Sequence, residues 1–144
     1  MRTYYIFKIN NIFKTNFRRK TTNIYKVLRH IKSIDISDKN RALDIYKRLV
    51  IPLNKNKINN YISKIHINDF YYKKDNNKHV LYTSKENSNL IVNNTFIKIE
   101  TNNNITPFFK DVCNIDNNFF LIDFDNNDYF FLEDFKDKIT CVYL

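Results

Sequence analysis

Three histidines (His30, His66, His79), two cysteines (Cys113, Cys141) and a carboxylate run at Asp123, Asp125 and Asp128 are the side chains of this 144-residue sequence with the means to do chemistry. A nucleophile–base pair needs Ser, Cys or Thr beside a His that a third group orients. None of the histidines lies in a local motif of that kind. His30 falls between Arg29 and Ile31 on a predicted helix and reads as a solvated or half-buried helix residue. The cysteines flank apolar segments without metal-ligand spacing, so they read as small hydrophobes, not bridged to one another. The acid cluster resembles part of a calcium loop, but that loop needs Gly at its sharp turn and a bidentate Glu at its end. The chain has no Gly at all. The cluster therefore reads as a hairpin turn, with Asp123 pointing out of the sheet or accepting backbone hydrogen bonds. The same absence removes the P-loop and the dinucleotide fingerprint. No metal, no cofactor and no enzymatic activity are expected.

What remains is binding. The formal charge is +9, with the basic residues concentrated in residues 1–110 and an acidic balance in residues 111–144. Such asymmetry predicts a surface with a basic and an acidic side. Arg18, Arg19 and Lys20, with Lys14, Lys26, Arg29 and Lys32, form the basic concentration. It reads as a solvated helix face, or as a binder of phosphate in nucleic acid or of an acidic protein face. Phe13 and Phe17 lie among these charges at i,i+4 spacing. Buried, they would be core; exposed and close together, as predicted from their place off the following helix's stripe, they form an aromatic anchor beside a charged rim.

These residues need elements to hold them. At 43% hydrophobic and 16% aromatic the chain is too apolar for whole-chain disorder. Its length predicts one domain. No apolar run is long enough to span a membrane, and the N-terminus lacks a signal-peptide core, so a cytoplasmic protein with no membrane partner is expected. Tyr4–Ile9 reads as a strand and the Phe13/Phe17 segment as a short helical turn. Thr21 or Thr22 caps a helix with the stripe Ile24, Val27, Leu28 and Ile31. A second helix begins near Ser37 and Asp38, with Ala42, Leu43, Tyr46, Leu49 and Val50 on its face, and Pro52 ends it. A third starts at Asn54 with Ile58, Tyr61, Ile62 and Ile65 on one face. Residues 69–77 read as loop or extended chain. Strands are predicted at 79–84, 90–92 and 95–100, with Asn93-Asn94 as a two-residue hairpin turn in which Asn replaces Gly. A short helix follows over 106–114 with Pro107 in its first turn. Phe119–Phe124 reads as a strand buried on both faces, and Asp125–Asp128 turns it into the strand 129–132. The expected fold is α+β, one domain over residues 1–144, with a helix-rich N-terminal half packed on a mainly antiparallel sheet and the order of the tail 133–144 left open.

Tyr4-Tyr5-Ile6-Phe7-Lys8-Ile9-Asn10-Asn11-Ile12-Phe13 followed by Phe17 resembles the opening of SirA, the sporulation inhibitor of replication of endospore-forming bacteria. Asp44-Ile45-Tyr46 leading to Val50-Ile51-Pro52-Leu53, the hairpin region 79–99, Phe108-Phe109-Lys110-Asp111-Val112, and the pair 119–124 and 129–132 follow in that family's order. The resemblance covers about residues 3–132. It implies a non-enzymatic protein that binds the N-terminal domain, domain I, of the replication initiator DnaA and blocks initiation of chromosome replication at sporulation. It also implies a partner-binding surface of Phe13, Phe17, Leu43 and Tyr46, with Arg18 and Arg19 at its rim. Leu43 stands where a polar residue is familiar. The alternative from composition is a small basic nucleic-acid-binding protein.

Overall fold

The computed structural model describes residues 1–17, 21–32 and 39–135, with the backbone alone for residues 16, 17 and 39–43. Arg18, Arg19, Lys20, Ser37, Asp38 and Cys141, all given roles above, lie outside the described residues. β1 (Arg2–Lys8) is rich in aromatic and branched residues and buries Tyr4 and Ile6 on one side and Phe7 on the other. It leads into α1 (Asn11–Phe17), α2 (Thr21–Lys32), α3 (Lys39–Leu49) and α4 (Lys55–His66). Strands β2 (Tyr72–Asp75), β3 (Lys78–Tyr82), β4 (Asn87–Val92) and β5 (Ile97–Thr101) follow. Then come α5 (Pro107–Cys113), β6 (Phe119–Asp123), β7 (Asp128–Phe131) and a 3-10 turn at Leu132–Phe135.

The strands form one seven-stranded sheet in the order β2-β3-β4-β5-β1-β6-β7, with every neighbouring pair antiparallel. The fold is α+β, as expected, but the N-terminal half is not simply a helical layer packed on a sheet built from the second half. β1 pairs with β5 on one side and β6 on the other, so the N-terminal segment is an interior strand of the sheet. Strand order is a long-range property that local patterning does not encode.

Two apolar layers cover the sheet. On one face Tyr4, Ile6, Leu90, Val92, Ile97, Ile99 and Leu121 pack with Ile58 and Ile62 of α4 and with Phe108, Val112 and Cys113 of α5. On the other, Phe7, Phe120, Ile122 and Phe131 pack with Ile24, Tyr25 and Leu28 of α2 and Leu49 of α3. β6 lies under both layers, so all five of its residues are buried, as its near-continuous apolar run predicts. β4 and β5 instead bury alternate residues, because the second apolar cluster includes no residue of β2, β3 or β4.

Local signals place the helix ends. The Asn54 side chain accepts the Lys57 amide at 3.2 Å to cap α4. Thr106 caps α5 by accepting the Phe108 amide at 3.2 Å, with Pro107 in the first turn. The face of α4 differs from expectation. Ile58 and Ile62 are buried, but their companions are Asn59 and His66, while Tyr61 and Ile65 face outward. Buried polar side chains are tolerated there because each finds a hydrogen-bond partner. Residues 72–75, read as loop or extended chain, form the edge strand β2.

Without glycine, asparagine supplies the left-handed turns, at Asn76 (φ 53°) and Asn127 (φ 52°). Asn93-Asn94 is not such a turn. The β4–β5 connection spans residues 93–96, closed by the Asn93 amide on the Phe96 carbonyl at 2.9 Å. Asn76→Val should therefore lower stability by about 1–2 kcal/mol, whereas Asn76→Gly should fall within about 1 kcal/mol of wild type. Urea unfolding of the two variants checks this, and equal losses would contradict it.

Candidate partner-binding site

The end of β1 holds α1 and α3 together. Asn10 is the junction: its amide donates to the Leu49 carbonyl at 2.8 Å, and its side-chain oxygen accepts the Ile12 amide at 3.1 Å to start α1. Ile9 bridges Val50, and the Ile51 amide donates to the Lys8 carbonyl at 2.8 Å. The start of α1 and the end of α3 are thus fastened to one strand end. Phe13 and Tyr46, 33 residues apart in the numbering, both pack against the second apolar cluster.

Neither ring is fully exposed. Phe13 is half-buried, so the expectation of a free aromatic anchor is met only in part. Tyr46 is also half-buried, and its hydroxyl meets Thr95 Oγ1 at 2.8 Å. Burial pushes the Tyr46 hydroxyl above the usual tyrosine value, against the pull of the Thr95 contact. The backbones of Phe17 and Leu43 lie on α1 and α3, but their side chains, like Arg18 and Arg19, fall outside the described residues.

Tyr46 lines an apolar groove of about 240 Å³ with Tyr5, Ile31, Phe96 and Phe124. Ile31 is shared with a second hollow between α2 and α3, lined also by Val27 and the outward-facing Ile45. Sequence reasoning missed Ile45, Phe96 and Phe124. Ile45 carried a readable signal, because it is an aliphatic residue off the apolar stripe of a highly charged helix. Phe96 and Phe124 lie in the loops beside β5 and β6 and join the groove only through the sheet order.

Much of the basic concentration is used internally. Lys14 is buried, donates to the Asn117 carbonyl at 2.6 Å and to the Glu133 carboxylate, and lies over the Phe131 ring. Arg29 donates to Asn127 Oδ1 at 3.0 Å and to the Tyr25 hydroxyl at 3.2 Å. Lys32 sits 4.4 Å from the Phe124 ring centroid. These cations fasten α1 and α2 to the fold by cation–π and hydrogen-bond contacts. Lys26 is exposed.

Asp123 is buried, and of its two expected roles it takes the second, accepting a backbone hydrogen bond. It accepts Asn126 Nδ2 at 2.7 Å, the Asn126 amide at 3.2 Å and Arg2 Nη2 at 2.9 Å. Burial opposes its charge, but the bonds from Asn126 and Arg2 outweigh it and hold the carboxyl below the usual aspartate value. The cluster is a hairpin turn, and among the described residues no group of three or more His, Cys, Asp or Glu could hold a metal ion.

His30 is exposed on α2, while His66 and His79 join one network with no local motif. His66 Nδ1 meets Asp69 Oδ2 at 2.8 Å and Nε2 meets Asp111 Oδ2 at 2.6 Å. Two aspartates flank the ring, and both favour its protonated form. Burial opposes that charge, yet Asp111 and then Asp69 raise its pKa above the ordinary value. His79 is the converse. Its Nδ1 faces the Tyr72 hydroxyl at 2.6 Å and its Nε2 faces Asn59 Oδ1 at 2.8 Å, which is one acceptor and one donor. Burial first, then Lys74 and charged His66, lower its pKa to about 4. Tyr72 stacks between the two rings. The network ties α4 to α5 and β3, on the sheet face opposite the groove.

No described helix is long and apolar enough to cross a membrane. A search of the curated proteins finds no match. A family model described as sporulation inhibitor of replication protein SirA matches residues 2–136, nearly the whole chain. That span takes in all seven strands and all five helices of the described residues, including both walls of the groove. The chain therefore belongs to the SirA family of sporulation inhibitors of replication.

Proposed function

We propose that this chain blocks initiation of chromosome replication during sporulation by binding domain I of the replication initiator DnaA, with no chemistry of its own. Family membership supports the inhibitory role. The observation that carries the binding surface is the incompletely covered apolar face at Tyr46, Ile45, Phe96 and Phe124, with Phe13 half-buried on the same apolar cluster. Monomer surfaces usually scatter their apolar residues, and a connected aromatic groove is a docking feature. The resemblance to the family assigns Phe17, Leu43, Arg18 and Arg19 to the same partner contact. Inhibition is by occlusion: domain I, once seated here, no longer offers the same face to its own partners.

A nucleic-acid role for this face is disfavoured by the internal use of Lys14, Arg29 and Lys32. Sedimentation of the purified chain mixed with DnaA domain I, at low and at high salt, tests the reading. A complex that persists with little salt dependence supports it. Absence of a complex with domain I, together with strongly salt-dependent binding of duplex DNA, overturns it.

A further inference from the structure

Two carboxylates share one imidazole on the sheet face opposite the groove. Asp69, in the turn between α4 and β2, meets His66 Nδ1 at 2.8 Å, and Asp111 of α5 meets Nε2 at 2.6 Å. The two differ in their access to water. The Asp69 side chain is 33% exposed and that of Asp111 only 9%. The backbone of the turn hangs on the same residues: the Asp69 amide donates to the His66 carbonyl at 2.9 Å and the Tyr72 amide to the Asp69 carbonyl at 3.1 Å.

A doubly protonated ring has an N–H for each carboxylate, and a neutral ring has only one. When the ring loses a proton, one carboxylate is left facing a nitrogen lone pair at hydrogen-bond distance. A buried carboxylate deprived of its donor costs far more than one that can turn into water. The remaining proton therefore belongs on Nε2, against Asp111, and the contact that breaks is the one to Asp69. No other group around the ring takes over from Asp69. Tyr72 of β2 stacks on the ring face, and its hydroxyl is engaged with His79 of β3. His79 spends its other nitrogen on Asn59, and the charge of Lys74 on β2 bears on His79. Phe108 of α5 meets the His66 ring edge-on, and Tyr71 faces Asp69 from within the turn.

We propose that the α4–β2 turn is a proton-operated latch: Asp69 holds the turn on His66 while the ring carries two protons, and lets go when the ring keeps only the proton shared with Asp111. Burial pulls the His66 pKa down, but Asp111 and Asp69 more than restore it, so it lies above 6.5. The latch is closed below that raised value and opens as pH rises through it. Opening loosens the turn that carries the exposed Ile67 and Phe70. It leaves the sheet intact, because Asp111 still ties α4 to α5.

Nuclear magnetic resonance of the His66 ring nitrogens and amide hydrogen exchange of the full chain, from about pH 5.5 to about pH 9, test the proposal. Both ring nitrogens should carry protons at the acid end and Nε2 alone at the alkaline end. Through the same midpoint the Asp69 and Tyr72 amides should lose about 10-fold in protection beyond the intrinsic base-catalysed rise, the loss of roughly one charge-assisted hydrogen bond. The Leu121 amide in β6 should stay protected throughout. Asp69→Asn should fold normally, because the side chain is partly exposed and an amide can face the ring with either its oxygen or its NH2. It should lower the His66 midpoint and make the protection of the Tyr72 amide independent of pH. A ring still doubly protonated at the alkaline end, or a remaining proton on Nδ1, would overturn the proposal. So would turn protection that does not change as the ring titrates, protection lost in β6 together with the turn, or an Asp69→Asn variant that titrates as the wild type does.

Discussion

Asp111→Ala should cost about 3–5 kcal/mol of folding stability, read from urea unfolding near neutral pH. His66 is buried on α4 and depends on Asp111 of α5 for its shortest charged contact. Removing one partner of a buried pair leaves the other charge uncompensated, and such deletions are far more damaging than the loss of a surface ion pair. His66 must then shed its proton or be exposed, and either breaks the tie between the two helices on that face. Asp111→Asn should be milder, because it keeps an acceptor while losing the charge. A loss below about 1 kcal/mol for Asp111→Ala would mean that Asp69 alone holds the imidazolium.

The same pair predicts how stability follows pH. The His66 pKa lies above 6.5 in the fold. Its contribution is complete below about pH 6.5 and is lost as pH rises through the raised value. The His79 pKa lies at about 4. The unfolded chain takes up that proton near 6.5 and the folded chain does not, so stability falls as pH drops from 6.5 towards 4, by about 3 kcal/mol at the limit. The two histidines act in opposite directions on either side of pH 6.5 and give a maximum near it. Asp111→Ala should flatten the alkaline limb, and His79→Gln the acid limb.

Phe13→Ala together with Tyr46→Ala should remove binding to DnaA domain I. An aromatic at the centre of an interface is worth about 2 kcal/mol or more, roughly 30-fold in affinity, so the pair should take the complex beyond measurement. The structure changes what else to expect. Both rings are half-buried on the second apolar cluster, and Tyr46 also meets Thr95, so the double variant should lose about 1–3 kcal/mol of stability as well. Tyr46→Phe separates the two effects, since it deletes only the Thr95 contact and keeps the ring. It should bind domain I nearly as well as the wild type. Ile45→Glu is a cleaner probe, because Ile45 faces outward: it should melt normally and still weaken the complex.

Much of the fold was readable because its signals are local. The stripe at Ile24 and Leu28, the Thr106–Pro107 helix start, the doubly buried run at 119–123 and the use of Asn in left-handed turns each depend on a few neighbouring residues. What could not be read depends on residues far apart. β1 enters the middle of the sheet by pairing with strands that come about 90 or more residues later. His66 finds Asp111 across 45 positions, and His79 finds Asn59 across 20. That pairing turned α4 so that Asn59 and His66, not Tyr61 and Ile65, complete its inner face. Phe13 and Tyr46 fall on helices the sequence predicts, and the half-burial of Phe13 lies between the core and exposed readings it allowed. Lys14 was legible as a cation, while its burial against Glu133 and Phe131 was set by the arrival of the last described segment.

Amide chemical-shift mapping of the isotope-labelled chain during titration with DnaA domain I tests the central claim most directly. The account predicts saturable changes centred on Phe13, Ile45 and Tyr46, extending to Phe96 and Phe124 and absent from the outer face of α4. No change on adding domain I, or changes confined to α4 and β2, would contradict it.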